Sequence, residues 1–234
     1  MFGLSFGGWK KKQRDIKRRD PYDGLRPWSA ITHGLGAGLA LLGTVLLLVK
    51  TVLCGADAWR IVSFSIYGAS MFCLYLASTL YHSVNTTPGG RIGLRKYDHI
   101  SIYLLIAGSY TPVCLIVLRG VLGWGLFTGI WLLALLGIIL TLCWIDCPRG
   151  ITTAIYLVMG WLALLALWPL GKALGAEGMV WLISGGVLYT VGGVLYAVKW
   201  PGRNNPRFGC HEIFHVFILL GSLCHYFMMY RILV

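Results

Sequence analysis

Seven apolar runs, each near the length needed to cross a bilayer, dominate this chain and leave it few folds to adopt. They lie at 29–53, 61–81, 100–118, 122–144, 151–170, 179–198 and 213–234. A helix needs roughly 20 apolar residues to span the hydrocarbon, and an uncharged helix satisfies its own backbone there as few other structures can. Short polar turns separate the runs, so neighbours run antiparallel and pack as one unit. The predicted fold is all-α: an integral membrane bundle of seven transmembrane helices over residues 28–234, behind a basic cytoplasmic tail at residues 1–27. A chain that is 57% hydrophobic and only 12% charged is not a soluble globular domain.

Basic residues set the orientation. Fifteen of the 20 Lys and Arg residues fall on one side, in the tail and alternate loops, against Lys50, Arg60, Arg119, Lys172 and Arg231 on the other. The positive-inside rule then puts the N-terminus in the cytoplasm and the C-terminus outside. The formal charge of +12 flanks the spans instead of forming a basic face interleaved with aromatics, so no nucleic-acid partner is expected. Lys10 to Arg19 suit anionic lipid headgroups, at about 1 kcal/mol per basic residue near the surface. The seven cysteines show no disulfide framework.

Helices associate in lipid where small residues let backbones approach. Gly34 and Gly38 predict such a contact on the first span, and Gly185, Gly186, Gly192 and Gly193 on the sixth. Thr111-Pro112 and Trp168-Pro169 predict kinks.

Ionisable groups inside a span need a partner and a reason. Ser78 and His82, at i and i+4, share a face at the inner end of the second helix. His211 and His215 repeat that spacing where the seventh helix enters from the same side. Two histidines at i, i+4 chelate a metal, and a third from another helix makes a His₃ set that leaves a fourth position for water. Imidazole ligands favour Zn²⁺. Asp98, read as the N-cap of the third helix at the same depth, is placed as the general base toward that water, with Ser78 to orient it or a reacting carbonyl. His211-Glu212-Ile213-Phe214-His215 also satisfies H-E-x-x-H, which makes a protease with Glu212 as base a rival reading. His33 lies at a depth that suits either a polar network or packing. His225, about 15 Å beyond His215 along the helix, is too far to share that ion.

The strings Ala77-Ser78-Thr79-Leu80-Tyr81-His82, Tyr97-Asp98-His99, Ile106 to Pro112 and His211-x-x-x-His215 resemble the hemolysin III family, bacterial relatives of the adiponectin and progestin receptors. The resemblance runs from about Trp28 to the end. It implies a bacterial inner-membrane protein of seven helices, with zinc on His82, His211 and His215 and with Asp98 and Ser78 beside it. It does not require an acid at position 212. Bacterial members also carry a Glu and an Asn upstream of the histidine matched by His33, whereas this chain has Ser29 at the Asn and no acid at 25–32.

Three functions follow as expectations. One is a zinc-dependent, ceramidase-like hydrolase of lipid amides, the activity the receptor relatives imply. The second is a non-enzymatic sensor or homeostasis protein with a structural metal. The third is a pore-forming haemolysin, ranked last because no span carries the regular polar stripe of a wide aqueous pore.

Overall fold

The computed structural model describes residues 25–203, 205 and 207–234, so most of the basic tail lies outside the described residues. The helices are α1 (Pro27–Leu53), α2 (Ala58–Ser83), α3 (Pro88–Pro112), α4 (Gly120–Cys143), α5 (Arg149–Trp161), α6 (Leu167–Val198) and α7 (Cys210–Met228). Two of them are prolonged by a wider turn, α3 by Val113–Leu118 and α7 by Met229–Leu233, and a short 3₁₀ segment, Leu162–Ala166, joins α5 to α6. Among the described residues, six continuous helical stretches are long and apolar enough to cross a membrane. The fifth stretch, Arg149–Val198, is 50 residues long and is interrupted at Gly175 (φ 63°, ψ −173°), a backbone conformation open only to glycine.

Local sequence explains where the helices start and stop. Asp57 caps α2 by accepting from the Arg60 amide at 3.1 Å, and Thr87 caps α3 by accepting from Gly90 at 3.2 Å, with Pro88 in the first turn. This corrects the reading of Asp98 as a cap. Hydropathy marks only the apolar part of α3, while its polar first turns carry Arg91, Arg95 and Lys96, so Asp98 sits ten residues inside the helix. Pro112 lacks the amide to continue the ladder, and the widened turn that follows closes with Arg119 N–H donating to the Cys114 carbonyl. The Tyr110 hydroxyl repairs the break after α5: it reaches the carbonyls of Met159 (3.0 Å) and Gly160 (2.8 Å) and accepts from the Ala163 amide (2.7 Å).

Apolar groups face outward as well as inward. Leu35 and Leu39 on α1 and Val121 on α4 are among many exposed large hydrophobic side chains, whereas Ser29, His33, Ser78, His82, Glu212, His215 and Ser222 are buried. That inverted pattern suits a protein solvated by lipid. Close approach occurs, but not at the expected pair. A Cβ at Gly36 would lie 2.7 Å from Leu219 and 2.9 Å from Tyr75, and one at Gly43 3.1 Å from Tyr226, so α1 meets α7 through Gly36 and Gly43. Gly34 makes only ordinary contact with Thr79, and Gly38 faces nothing within 4 Å. The expected α6 glycines do pack, Gly185 and Gly192 toward α7 and Gly186 and Gly193 toward α5.

Candidate metal centre

Three elements converge at one end of the bundle. His82 lies in the last turn of α2, His211 and His215 in the first two turns of α7, and α1 begins beside both. The α1 start is tied to the end of α2 by Arg26 N–H donating to the His82 carbonyl at 3.0 Å.

The imidazoles of His82, His211 and His215 each offer a nitrogen, and these atoms lie within 4.8 Å of one another. The Nε2 atoms of His82 and His211 are 3.0 Å apart. Two nitrogens each about 2.0–2.1 Å from a tetrahedral ion sit roughly 3.3 Å apart, so this pair already has the spacing of two ligands on one metal. Nδ1 of His82 and of His215 are buried without a hydrogen-bond partner among the described residues. The cluster is placed to hold a metal ion.

His33 joins it as a neighbour. Its ring stacks on His215 with centroids 3.6 Å apart and planes 10° apart, and both its nitrogens lack a hydrogen-bond partner among the described residues. It falls outside the convergent set, so its geometry positions the His215 ring instead of adding a ligand. Sequence spacing could not decide this, because stacking depends on how α1 leans on α7.

Glu212, adjacent to His211, turns the other way. It is 2% exposed, and its carboxylate accepts from Arg26 Nη1, Ser29 Oγ and the Gly209 amide, each at 2.9 Å. An acid held by two donors at the start of α1 and by the Gly209 amide at the start of α7 is not free to serve as a base at the histidines, which counts against the protease reading. At the start of α1, Arg26 and Ser29 are both partners of this α7 acid.

Ser78 and Asp98 do not belong to the convergent set, but both line the same cavity as His211 and His215, and the Ser78 hydroxyl faces the Asp98 carboxylate. Asp98 Oδ2 lies 3.7 Å from His99 Nδ1. The cavity, of about 220 Å³, runs from this end between α2, α3, α5, α6 and α7 as far as His225, and Leu, Ile and aromatic residues alternate on its walls with Ser, Thr, Arg and His.

A helical bundle with a lipid-facing apolar surface and a buried histidine triad at one end defines an integral membrane protein with a metal-competent centre. The chain belongs to the haemolysin-III related family, whose profile matches residues 27–226. It is 41% identical over 199 residues to Hemolysin-3 of Bacillus cereus, covering 85% of this chain and 87% of that one. It is 42% identical over 199 residues to a Hemolysin-3 homolog of Bacillus subtilis, covering 85% and 90%. A more distant likeness, 27% over 184 residues, covers 76% of this chain and 73% of the human monocyte to macrophage differentiation factor.

Proposed function

We propose that this protein is a zinc-dependent hydrolase of lipid amides in the bacterial inner membrane, with His82, His211 and His215 as metal ligands on the cytoplasmic side. The observation that carries the reading is a convergent imidazole triad, two of whose members (His211 and His215) line a largely apolar cavity bordered by Ser78 and Asp98. The chain crosses the membrane seven times in this reading. A straight helix of 50 residues would reach about 75 Å, more than twice the hydrocarbon thickness, and the break at Gly175 supports two crossings there.

Zinc in the triad supplies Lewis acidity and a water acidified toward neutral pH. The chain does the rest. The apolar walls hold an acyl chain and exclude water. Ser78 donates to the amide carbonyl, Asp98 takes the proton of the attacking water and delivers it to the leaving nitrogen, and Arg26–Glu212 holds α1 against the ligand helix. The test is metal content and amide turnover on the purified protein, using labelled ceramides. Wild type carries zinc, His82→Ala and His211→Ala lose it, and Asp98→Asn keeps it while turnover stops. Turnover by Asp98→Asn at the wild-type rate would overturn the assignment. Bound metal with no turnover by any form, and unfolding on chelation, would favour the structural-metal reading.

A further inference from the structure

The far end of the cavity holds a polar group that the proposed chemistry does not use. His225 lines the cavity, and among the described residues neither imidazole nitrogen makes a hydrogen bond. Its ring stacks on Tyr189, with centroids 5.4 Å apart and planes 15° apart. Tyr189 also lines the cavity, and its hydroxyl meets Ser222 Oγ at 2.9 Å, which in turn accepts from the Tyr75 hydroxyl at 2.7 Å.

Space has been made for these rings. A Cβ at Gly185 would lie 2.6 Å from His225 Nε2, and one at Gly221 would lie 2.5 Å from the Tyr189 ring. An unpaired imidazole is costly in a water-poor environment, and a polar group inside a membrane protein normally has a partner. Tyr189 and Tyr75 already share Ser222, so the neighbouring network does not supply one for His225.

We propose that His225, framed by Tyr189, is a second polar subsite of the cavity, recognising an oxygen substituent carried partway along the hydrocarbon chain of a lipid whose head lies at the histidine triad. The proposal rests on the reading above only in placing the lipid head there. The ten residues from His215 to His225 put the subsite about 15 Å along α7 from His215, the nearest triad member on that helix. An extended hydrocarbon advances about 1.3 Å per carbon, from the roughly 1.5 Å bond projected on its zigzag. The substituent recognised is therefore a hydroxyl near carbon 12, by this estimate of about 15 Å over about 1.3 Å. An imidazole can donate to such a hydroxyl or accept from it, whichever tautomer it adopts.

The test is competitive displacement of a fluorescent fatty acid from the full chain in detergent, using octadecanoic acid and isomers hydroxylated at about carbons 3, 12 and 17, positions chosen from that spacing. The isomer near carbon 12 should bind about tenfold tighter than the unsubstituted acid, the size of one net hydrogen bond. His225→Phe keeps a ring of similar shape and should abolish the discrimination. His225→Gln, which restores a donor and an acceptor, should recover part of it. A flat profile across the isomers in wild type, or a preference that survives His225→Phe in a protein that melts like wild type, would overturn the proposal. The measurement needs neither metal nor turnover, so repeating it after chelation separates its failure from that of the hydrolase reading. If none of the acids displaces the probe, the lipid placement itself is wrong and the subsite falls with it.

Discussion

Removing both members of the Arg26–Glu212 pair should cost clearly less than the sum of the two single losses. Glu212 is 2% exposed and Arg26 13% at the side chain, with 2.9 Å between Nη1 and Oε1. Taking away one partner of a buried pair leaves the other desolvated without its counter-charge, a loss of about 3–5 kcal/mol. Glu212→Gln should fall at the lower end, about 3 kcal/mol, because one amide oxygen can still accept from Ser29 or Gly209, whereas its NH₂ opposes the remaining donors. Arg26→Gln should cost about as much, since the carboxylate it abandons keeps Ser29 and Gly209 but no positive charge. In the double variant two neutral amides can hydrogen-bond each other, so the summed single losses should exceed the double loss by about 2 kcal/mol or more. Thermal unfolding of the four proteins in one detergent measures the cycle. Metal affinity provides a second readout, because the pair fixes the start of α1, whose Arg26 backbone amide donates to the His82 carbonyl, and Glu212 adjoins His211. Each single variant should bind metal roughly 10–100-fold more weakly, the usual effect of disturbing groups that support ligands. Losses that add within about 0.5 kcal/mol would refute the coupling and with it the role given to this pair.

Two glycines two residues apart should respond oppositely to the same change. Gly36→Ala drives a methyl into Leu219 and into the Tyr75 ring, which its bond to Ser222 holds in place, and should cost about 1–3 kcal/mol. Gly38→Ala meets nothing within 4 Å and should be neutral or slightly stabilising in the same melting assay. Gly175→Ala should destabilise by about 1–3 kcal/mol, because alanine resists the conformation that interrupts the helix. Single cysteines placed on either side of Gly175, in a chain whose seven native cysteines are replaced, should react from outside with a membrane-impermeant thiol reagent. Protection at both positions would count against a turn there.

Much of the architecture is legible in one dimension because hydrocarbon imposes a length and forbids unpaired backbone. That constraint marks the apolar part of each helix, and the i, i+4 spacing of His211 and His215 already puts two imidazoles on one face. It does not mark helices whose first turns are polar, which is why α3 begins at Pro88, well before its apolar run, and why Asp98 is an interior residue. Nor does spacing reveal which small residues meet. Gly34 and Gly38 look like a contact pair in the sequence, but the rotation of α1 about its axis selects Gly36 and Gly43, and rotation depends on the partner helix.

The deepest division lies at the metal centre. The sequence by itself determined that the chain is a membrane-embedded helical bundle and that His82, His211 and His215 sit at matching depth, since depth follows from counting residues along apolar runs. Only the tertiary structure decided which way each side chain faces. It stacked His33 on His215, turned Glu212 from the histidines toward Arg26 and Ser29, and left His225 beside Tyr189 without a hydrogen-bond partner among the described residues. Those outcomes depend on the azimuth and tilt of helices packed through glycine contacts, a global property that no local pattern of residues encodes.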